Sequence, residues 1–331
     1  MSKENGRYPG SSEWGLFMPN GSFKPVSEMV RQRILDDNEV PLFQEPPGIP
    51  RDFGYWSQRF IERQQQYQET AEVPRDHVTI TLPGTCVINL IGDQHVGNPT
   101  TNYERIAQEI ELILNTPRSY VMLLGDTVDG FFFNPAQFEQ IEQAPEQFAY
   151  VRSMIARLAA AKRLLVGWGG DHDNWAKKMG VSAYAYFAQE TGAHYMYGVG
   201  YVTMNVGEQT YKLSGAHRHG GFSMYNNTHA AMRMYRDNAE GADVCVTAHT
   251  HKKGYHRQAV RGFGGEAHKV DFISLGPYKA TDDYSRKRGF GTQQTSEMFG
   301  AAIMLMADRH QVVYYDDILD ANRRIVEVVA K

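Results

Sequence analysis

From Val78 onward, short apolar runs of strand length alternate with longer segments whose apolar residues recur at helical spacing. Val78 to Leu82 and Cys86 to Ile91 read as strands, Tyr103 to Leu114 as a helix, Tyr120 to Leu124 as a strand and Pro145 to Ala161 as a helix. Arg163 to Val166 reads as a strand and Val181 to Glu190 as a helix. The rest is richer in strand-like runs: Tyr201 to Leu213, Val244 to Thr247, Val270 to Leu275 and Ala301 to Val313, with one helical run at Thr228 to Ala239. Early βαβ units followed by strand-rich sequence predict an α/β fold of two stacked mixed β-sheets with helices outside.

The pattern changes before residue 77. Pro9-Gly10 and Pro46-Pro47-Gly48-Ile49-Pro50 punctuate that part, one short helical pattern runs from about Val26 to Leu35, and a Gln-rich polar stretch covers Tyr55 to Glu72. Residues 1–77 therefore read as an N-terminal arm, and 78–331 as the domain. The arm is the candidate contact for a partner or another subunit; a flexible tail would have the same composition.

Bulk composition excludes some classes. With 331 residues and 42% hydrophobic content the chain can bury a substantial core. No run reaches the roughly 18 apolar residues of a membrane span, and the start MSKENGRYPGSSEWG lacks a signal-peptide apolar region, so the expectation is a cytoplasmic protein with no membrane partner. Cys86 and Cys245 both fall in apolar strands, which predicts buried free thiols rather than a disulfide framework. A formal net charge of -4 gives no global attraction for nucleic acid, so any such contact must be local.

The chemistry concentrates where strands give way to loops. Five stretches stand there: Gly92-Asp93-Gln94-His95, Gly125-Asp126-Thr127-Val128-Asp129, Gly170-Asp171-His172-Asp173, Ala216-His217-Arg218-His219 and Ala248-His249-Thr250-His251. Asp and neutral His together suit manganese, iron, zinc or nickel better than calcium or magnesium. Strand-end placement lets residues distant in sequence converge on one crevice from rigid supports. The run Phe131-Phe132-Phe133 is open between core packing and an aromatic wall, and Trp168 and Trp175 flank the third stretch.

In order and spacing these stretches resemble the calcineurin-like metallophosphoesterase superfamily, whose pattern runs GDxH, GDxxD, GNH(D/E), H, GHxH, and the second half looks like its phage-encoded and Mre11-like members. The resemblance covers about residues 78 to 317 and implies a four-layer αββα sandwich. It implies two divalent metal ions, manganese first: one held by Asp93, His95, Asp126 and His251, the other by Asp126, Asp171, His217 and His249. Asp126 would bridge them at the roughly 3.5–4 Å used in two-metal hydrolysis, and a hydroxide between the ions would attack phosphorus. His172 would meet the reacting phosphate and protonate the leaving oxygen, with Asp173 orienting its ring. Asp129 would support the site through hydrogen bonds, and Arg218 or His219 would contact substrate.

Two positions depart from the family. Asp171 stands where most members have Asn, and Ala248 where they have Gly. His217 is the first choice for the fourth ligand because it comes first after its strand, with His219 the alternative. The implied activity is a phosphodiesterase or nuclease acting on a phosphoester in DNA, RNA or nucleotides, in a host cytoplasm if the chain is phage-encoded. A phosphomonoesterase and a metal-binding scaffold without turnover are the alternatives. Basic residues interleaved with aromatics, Lys252, Lys253, Arg257, Arg286, Lys287 and Arg288 with Tyr278, Tyr284 and Phe290, fit either a phosphodiester backbone or solvated loops.

Overall fold

A computed structural model of the chain describes residues 5–7, 14–17, 23–25, 53–70, 76–131, 139–175, 190–221, 223–261, 265, 267–287, 289 and 297–330. It divides into two compact units, Met1–Glu72 and Val73–Lys331. In the first, β1 (Asn5–Arg7), β2 (Trp14–Phe17) and β3 (Phe23–Pro25) form an antiparallel three-stranded sheet. The polar stretch expected after residue 55 is instead part of an 18-residue helix, α1 (Phe53–Thr70). Its Gln, Glu and Arg residues are good helix formers, and Gln58–Glu62 and Tyr55–Arg59 hydrogen bonds span successive turns. The helical pattern read at Val26 to Leu35 lies outside the described residues, as does that at Val181 to Glu190 apart from its last residue.

The second unit holds two six-stranded sheets. Its strands are β4 (His77–Leu82), β5 (Cys86–Ile91), β6 (Ser119–Leu123), β7 (Leu164–Trp168), β8 (His194–Met196), β9 (Gly200–Val206), β10 (Gln209–Ala216), β11 (Val244–Thr247), β12 (Gly254–Arg261), β13 (Ala267–Ser274), β14 (Ala301–Leu305) and β15 (Val312–Tyr315). Its helices among the described residues are α2 (Tyr103–Asn115), α3 (Ala144–Ala160), α4 (Asp171–Trp175), α5 (His229–Asn238), α6 (Asp283–Lys287) and α7 (Ile318–Val329). One sheet runs β12-β13-β11-β10-β9-β4 and the other β15-β14-β5-β6-β7-β8. β5 to β8 are mutually parallel, as are β10, β11 and β13.

The layering follows from period-two alternation along buried strands. Ile88, Leu90, Met122 and Ile303 of one sheet meet Leu213, Val244, Val246 and Ile273 of the other in an inter-sheet core. The intervening Val87, Ile91, Val121, Leu123 and Met304 face outward onto Ile106, Ile110, Ile155, Leu158 and Ile325 of α2, α3 and α7. On the opposite side Cys245, Val270 and Phe272 pack with Ala231, Met234 and Tyr235 of α5. The order is thus helix, sheet, sheet, helices. Both cysteines are buried and free, and burial pushes each thiol up to about 12. No helix among the described residues is long and apolar enough to cross a membrane.

The C-terminal helix α7, which the sequence reading left without an element, docks through a buried polar ring. Asn322 Nδ2 donates to Asn89 Oδ1 at 2.7 Å, Asn89 Nδ2 to Ser119 Oγ at 2.9 Å, and Ser119 Oγ to Asn322 Oδ1 at 2.5 Å. Removing one member leaves buried partners unsatisfied at about 1–3 kcal/mol. Asn322→Ala is therefore expected to lower unfolding free energy by about that much in urea titrations, with the slope unchanged.

Candidate metal centre

All five stretches lie at the carboxyl ends of parallel strands, three from each sheet once β13 is included, and they meet over one crevice. The loops after β5 and β6 extend their pairing past the strands. Asp93 N donates to Gly125 O, His95 N to Asp126 O and Val96 N to Thr127 O, and Val96 and Val128 form a parallel bridge. These bonds hold the first two stretches in register before any ligand arrives.

Three groups of side chains bring their ligand atoms within 4.8 Å of one another: Asp93, His95 and His251; His95, Asp126 and His172; and Asp126, His217 and His249. Asp93, His95, Asp126 and His217 are buried. The donor set fits a cation pair on a direct observation: Asp93 Oδ1 and His217 Nε2 are buried without a hydrogen-bond partner. Asp93 Oδ1 lies 3.6 Å from His251 Nε2, and His217 Nε2 lies 3.1 Å from Asp126 Oδ2, so both unsatisfied atoms face other candidate ligands. Asp126 spans the groups, with Oδ2 toward His217 and Oδ1 accepting from His172 N at 2.8 Å.

Of the two histidines in the fourth stretch, His217 reaches the cluster. Its Nδ1 meets Leu124 O at 2.7 Å, which turns Nε2 toward the carboxylates. The His219 ring is engaged elsewhere, with Gly220 O and Asn238 Oδ1. Asp171 stands at the rim, half-exposed: Oδ2 is 3.2 Å from Arg218 Nη1 and 3.5 Å from His249 Nδ1, and Asp171 belongs to none of the three groups. Ala248 needs no positive φ; the left-handed backbone falls instead on His249 (φ 69°) and His251 (φ 55°), as on Asp93, His95 and Asp126.

Asp173 does not orient the His172 ring as expected. Its carboxylate accepts from Thr127 N, Thr127 Oγ1, Val128 N and Gly170 N, tying the third stretch to the second. The His172 ring is fixed by its Nδ1 contact with Asp129 O and by Trp175 at 4.2 Å and Phe131 at 5.0 Å between ring centroids. Phe131 is thus buried and also walls the site; Phe132 and Phe133 lie outside the described residues.

Burial by itself would raise the Asp126 carboxyl, but His217 and His172 hold it well below the usual carboxylate range. Burial would likewise depress His217, yet the charge of Asp126 raises it, which favours the imidazolium in the metal-free protein. His95 is pushed down by burial, then by the Lys279 ammonium, so it is neutral, the form that ligates metal. Burial and the nearby Asp126 raise the Asp173 carboxyl.

Sequence reading missed Lys279, Asp282 and Asn98. Asp129 Oδ1 meets His95 Nδ1 at 3.1 Å and Lys279 Nζ at 3.6 Å, while Asn98 and Gln140 donate to Oδ2. Lys279 lies in the loop after β13, farther from its strand end than Asp93 and Asp126 are from theirs, so strand-end placement did not single it out. Several of the basic and aromatic residues that fit either a phosphodiester backbone or solvated loops are instead used internally. Lys253 Nζ donates to the Met298, Gly300 and Asp316 carbonyls, Arg257 pairs with Asp271, and Tyr278 is fully buried with its hydroxyl on Glu109. Arg286 and Lys287 are exposed, paired with Asp283 and Glu139, whereas Arg288 and Phe290 lie outside the described residues.

No family model matches the chain, and no curated protein matches it. Among solved structures it is similar to a metallophosphoesterase from Sphaerobacter thermophilus (16% identity over 73% of this chain and 94% of that one, TM-score 0.32). It is also similar to the nuclease MPE of Pseudomonas putida (14%, 69% and 86%, TM-score 0.29) and the calcineurin-like phosphoesterase YfkN of Bacillus subtilis (12%, 76% and 100%, TM-score 0.35). At such low scores and identities the weight falls on the chain's own residues.

Because Asp126 raises His217, metal uptake there is expected to release a proton and acidify a weakly buffered solution, with apparent affinity rising with pH. Titrating manganese into metal-free protein with a pH indicator checks this, and His217→Gln should release less acid. In its five stretches, their order, and the two-sheet architecture that brings them together, the chain resembles the calcineurin-like metallophosphoesterases.

Proposed function

We propose that the chain is a metallophosphoesterase that hydrolyses phosphoester bonds with two divalent cations, manganese first, and that it prefers diesters. The observation that carries the reading is that Asp126 is shared by two ligand groups, one with His95 and His172 and one with His217 and His249, so that side chains from both sheets converge on it. Asp93, His95, Asp126 and His251 would hold one cation, and Asp126, His217 and His249 the other, with Asp171 completing the second set from the rim. When bound, such a pair activates water at neutral pH and neutralises charge on the phosphoryl group.

The chain's own residues do the rest. With Nδ1 bound to the Asp129 carbonyl, His172 presents Nε2 as the atom that can give a proton to a leaving oxygen. Trp175 and Phe131 hold that ring and limit water at its face. Arg218, at the rim beside Asp171, has the planar fork that grips a phosphate oxygen.

Charge favours the diester. Asp171 adds a negative charge at the rim that a neutral amide in its place would not, which lowers the positive potential of the centre by one charge. The lost attraction is larger for a dianionic monoester than for a monoanionic diester. The nuclease reading keeps Arg218, Lys252, Arg286 and Lys287 as surface cations for a polynucleotide and loses the support of Lys253, Arg257 and Tyr278.

Manganese-reconstituted protein is expected to cleave bis-p-nitrophenyl phosphate faster than p-nitrophenyl phosphate; a monoester preference would sink the diester reading. Asp126→Asn should lower bound metal by elemental analysis and abolish turnover. His172→Asn should keep the metal and slow turnover by about 10²–10⁴, less for good leaving groups. Loss of metal from that variant would make His172 a ligand instead.

A further inference from the structure

Lys279 is an ammonium buried beside the crevice, 5% exposed. Placing a charge there is costly unless it is paired. Its Nζ lies 3.2 Å from Asp282 Oδ2 and 3.6 Å from Asp129 Oδ1, with the Phe131 ring centroid at 5.9 Å. Asn98 Nδ2 joins the same two carboxylates, at 2.8 Å from Asp282 Oδ2 and 3.2 Å from Asp129 Oδ2. The lysine backbone is clamped to the loop that carries His95. Thr101 and Lys279 form an antiparallel bridge, Ala280 N donates to Thr100 O, and Tyr278 N donates to Asp93 O.

The arrangement bears on which imidazole nitrogen of His95 carries hydrogen. Asp129 Oδ1 sits 3.1 Å from His95 Nδ1, and an ionised carboxylate only accepts, so it selects the Nδ1–H form. The Nε2 lone pair then faces the His251 Nε2 only 3.0 Å away. Two such atoms can share one proton, or both can turn to a cation in front of them. If Asp129 left its place, a hydrogen on His95 Nε2 would block ligation. Asp129 and Asp282 repel each other across Asn98, and the Lys279 ammonium is the positive charge set between them.

We infer that Lys279 is a positioning residue for the Asp93, His95 and His251 half of the centre: it locks the Asp129 carboxylate onto His95 Nδ1 and so keeps His95 Nε2 open as a ligand. This rests on the reading of the crevice as a two-cation site, but not on any substrate.

The test uses the whole chain and manganese alone. Long-range proton–nitrogen NMR of histidine-labelled, metal-free protein should show hydrogen on His95 Nδ1, with His95→Gln identifying the signal. In Lys279→Met that resonance should shift toward a mixture of the two forms. Calorimetry should show about 10- to 100-fold weaker binding of one manganese equivalent and an unchanged second. Lys279→Arg should restore both. If the single variant does not fold, Lys279→Met with Asp282→Asn removes one charge of each sign and takes the same measurements. A folded variant with unchanged His95 hydrogen placement and unchanged affinities would overturn the inference, as would equal weakening of both equivalents alongside a lower melting temperature. Wild-type protein that binds two manganese ions yet cleaves no phosphoester would defeat the proposed activity and leave the role of Lys279 standing.

Discussion

A Cβ added to Gly170 would lie 2.1 Å from Asp126 N and 2.2 Å from Asp126 Oδ1, and one on Gly125 would lie 2.6 Å from Gly170 N. The chain leaving β7 therefore rests backbone to backbone on the chain leaving β6. That contact puts the central carboxylate in line with ligands from both sheets. It needs glycine twice, for space at Gly170 and for space and a φ of 83° at Gly125. Asp173 then fastens the approach from the side with its bonds to Thr127, Val128 and Gly170.

The same crowding explains why unfavourable backbone collects there. Asp93, His95, Asp126, His249 and His251 all have positive φ, a conformation that costs of order 1–3 kcal/mol at each non-glycine residue. Such strain persists only where neighbours over-determine it. The Gly125 and Asp126 carbonyls accept from Asp93 and His95, and the Asp93 carboxylate accepts from His249 N at 2.8 Å. Folding energy from the two cores is thereby spent on aiming side chains.

Much of this was legible in the sequence, because the strands alternate cleanly and the Asp and His residues follow their apolar runs directly. Cys86 to Ile91 and Val244 to Thr247 match the observed strands end to end. What was not legible depends on distances between residues far apart in the chain. Asp173 is adjacent to His172, so sequence pairs them, whereas the fold turns its carboxylate to backbone amides of the preceding stretch. Lys253, Arg257 and Tyr278 look like a surface in sequence, because nothing local says that Asp316, Asp271 and Glu109 await them. Helix α7 carries its signal in Asn322, a polar residue whose partners Asn89 and Ser119 are more than two hundred positions away.

The candidate ligands come from two sheets that otherwise touch mainly through apolar side chains, a non-directional attraction with no preference for one end of the sandwich. A cation pair coordinated from both sides would act as a clasp across the open end. A ligand that binds only the folded chain, present at about a hundred times its dissociation constant, adds about 2.7 kcal/mol to folding stability. Unfolding and occupancy of the crevice would then be linked. Divalent metal supply would bear on how stable the molecule is as well as on what it can do.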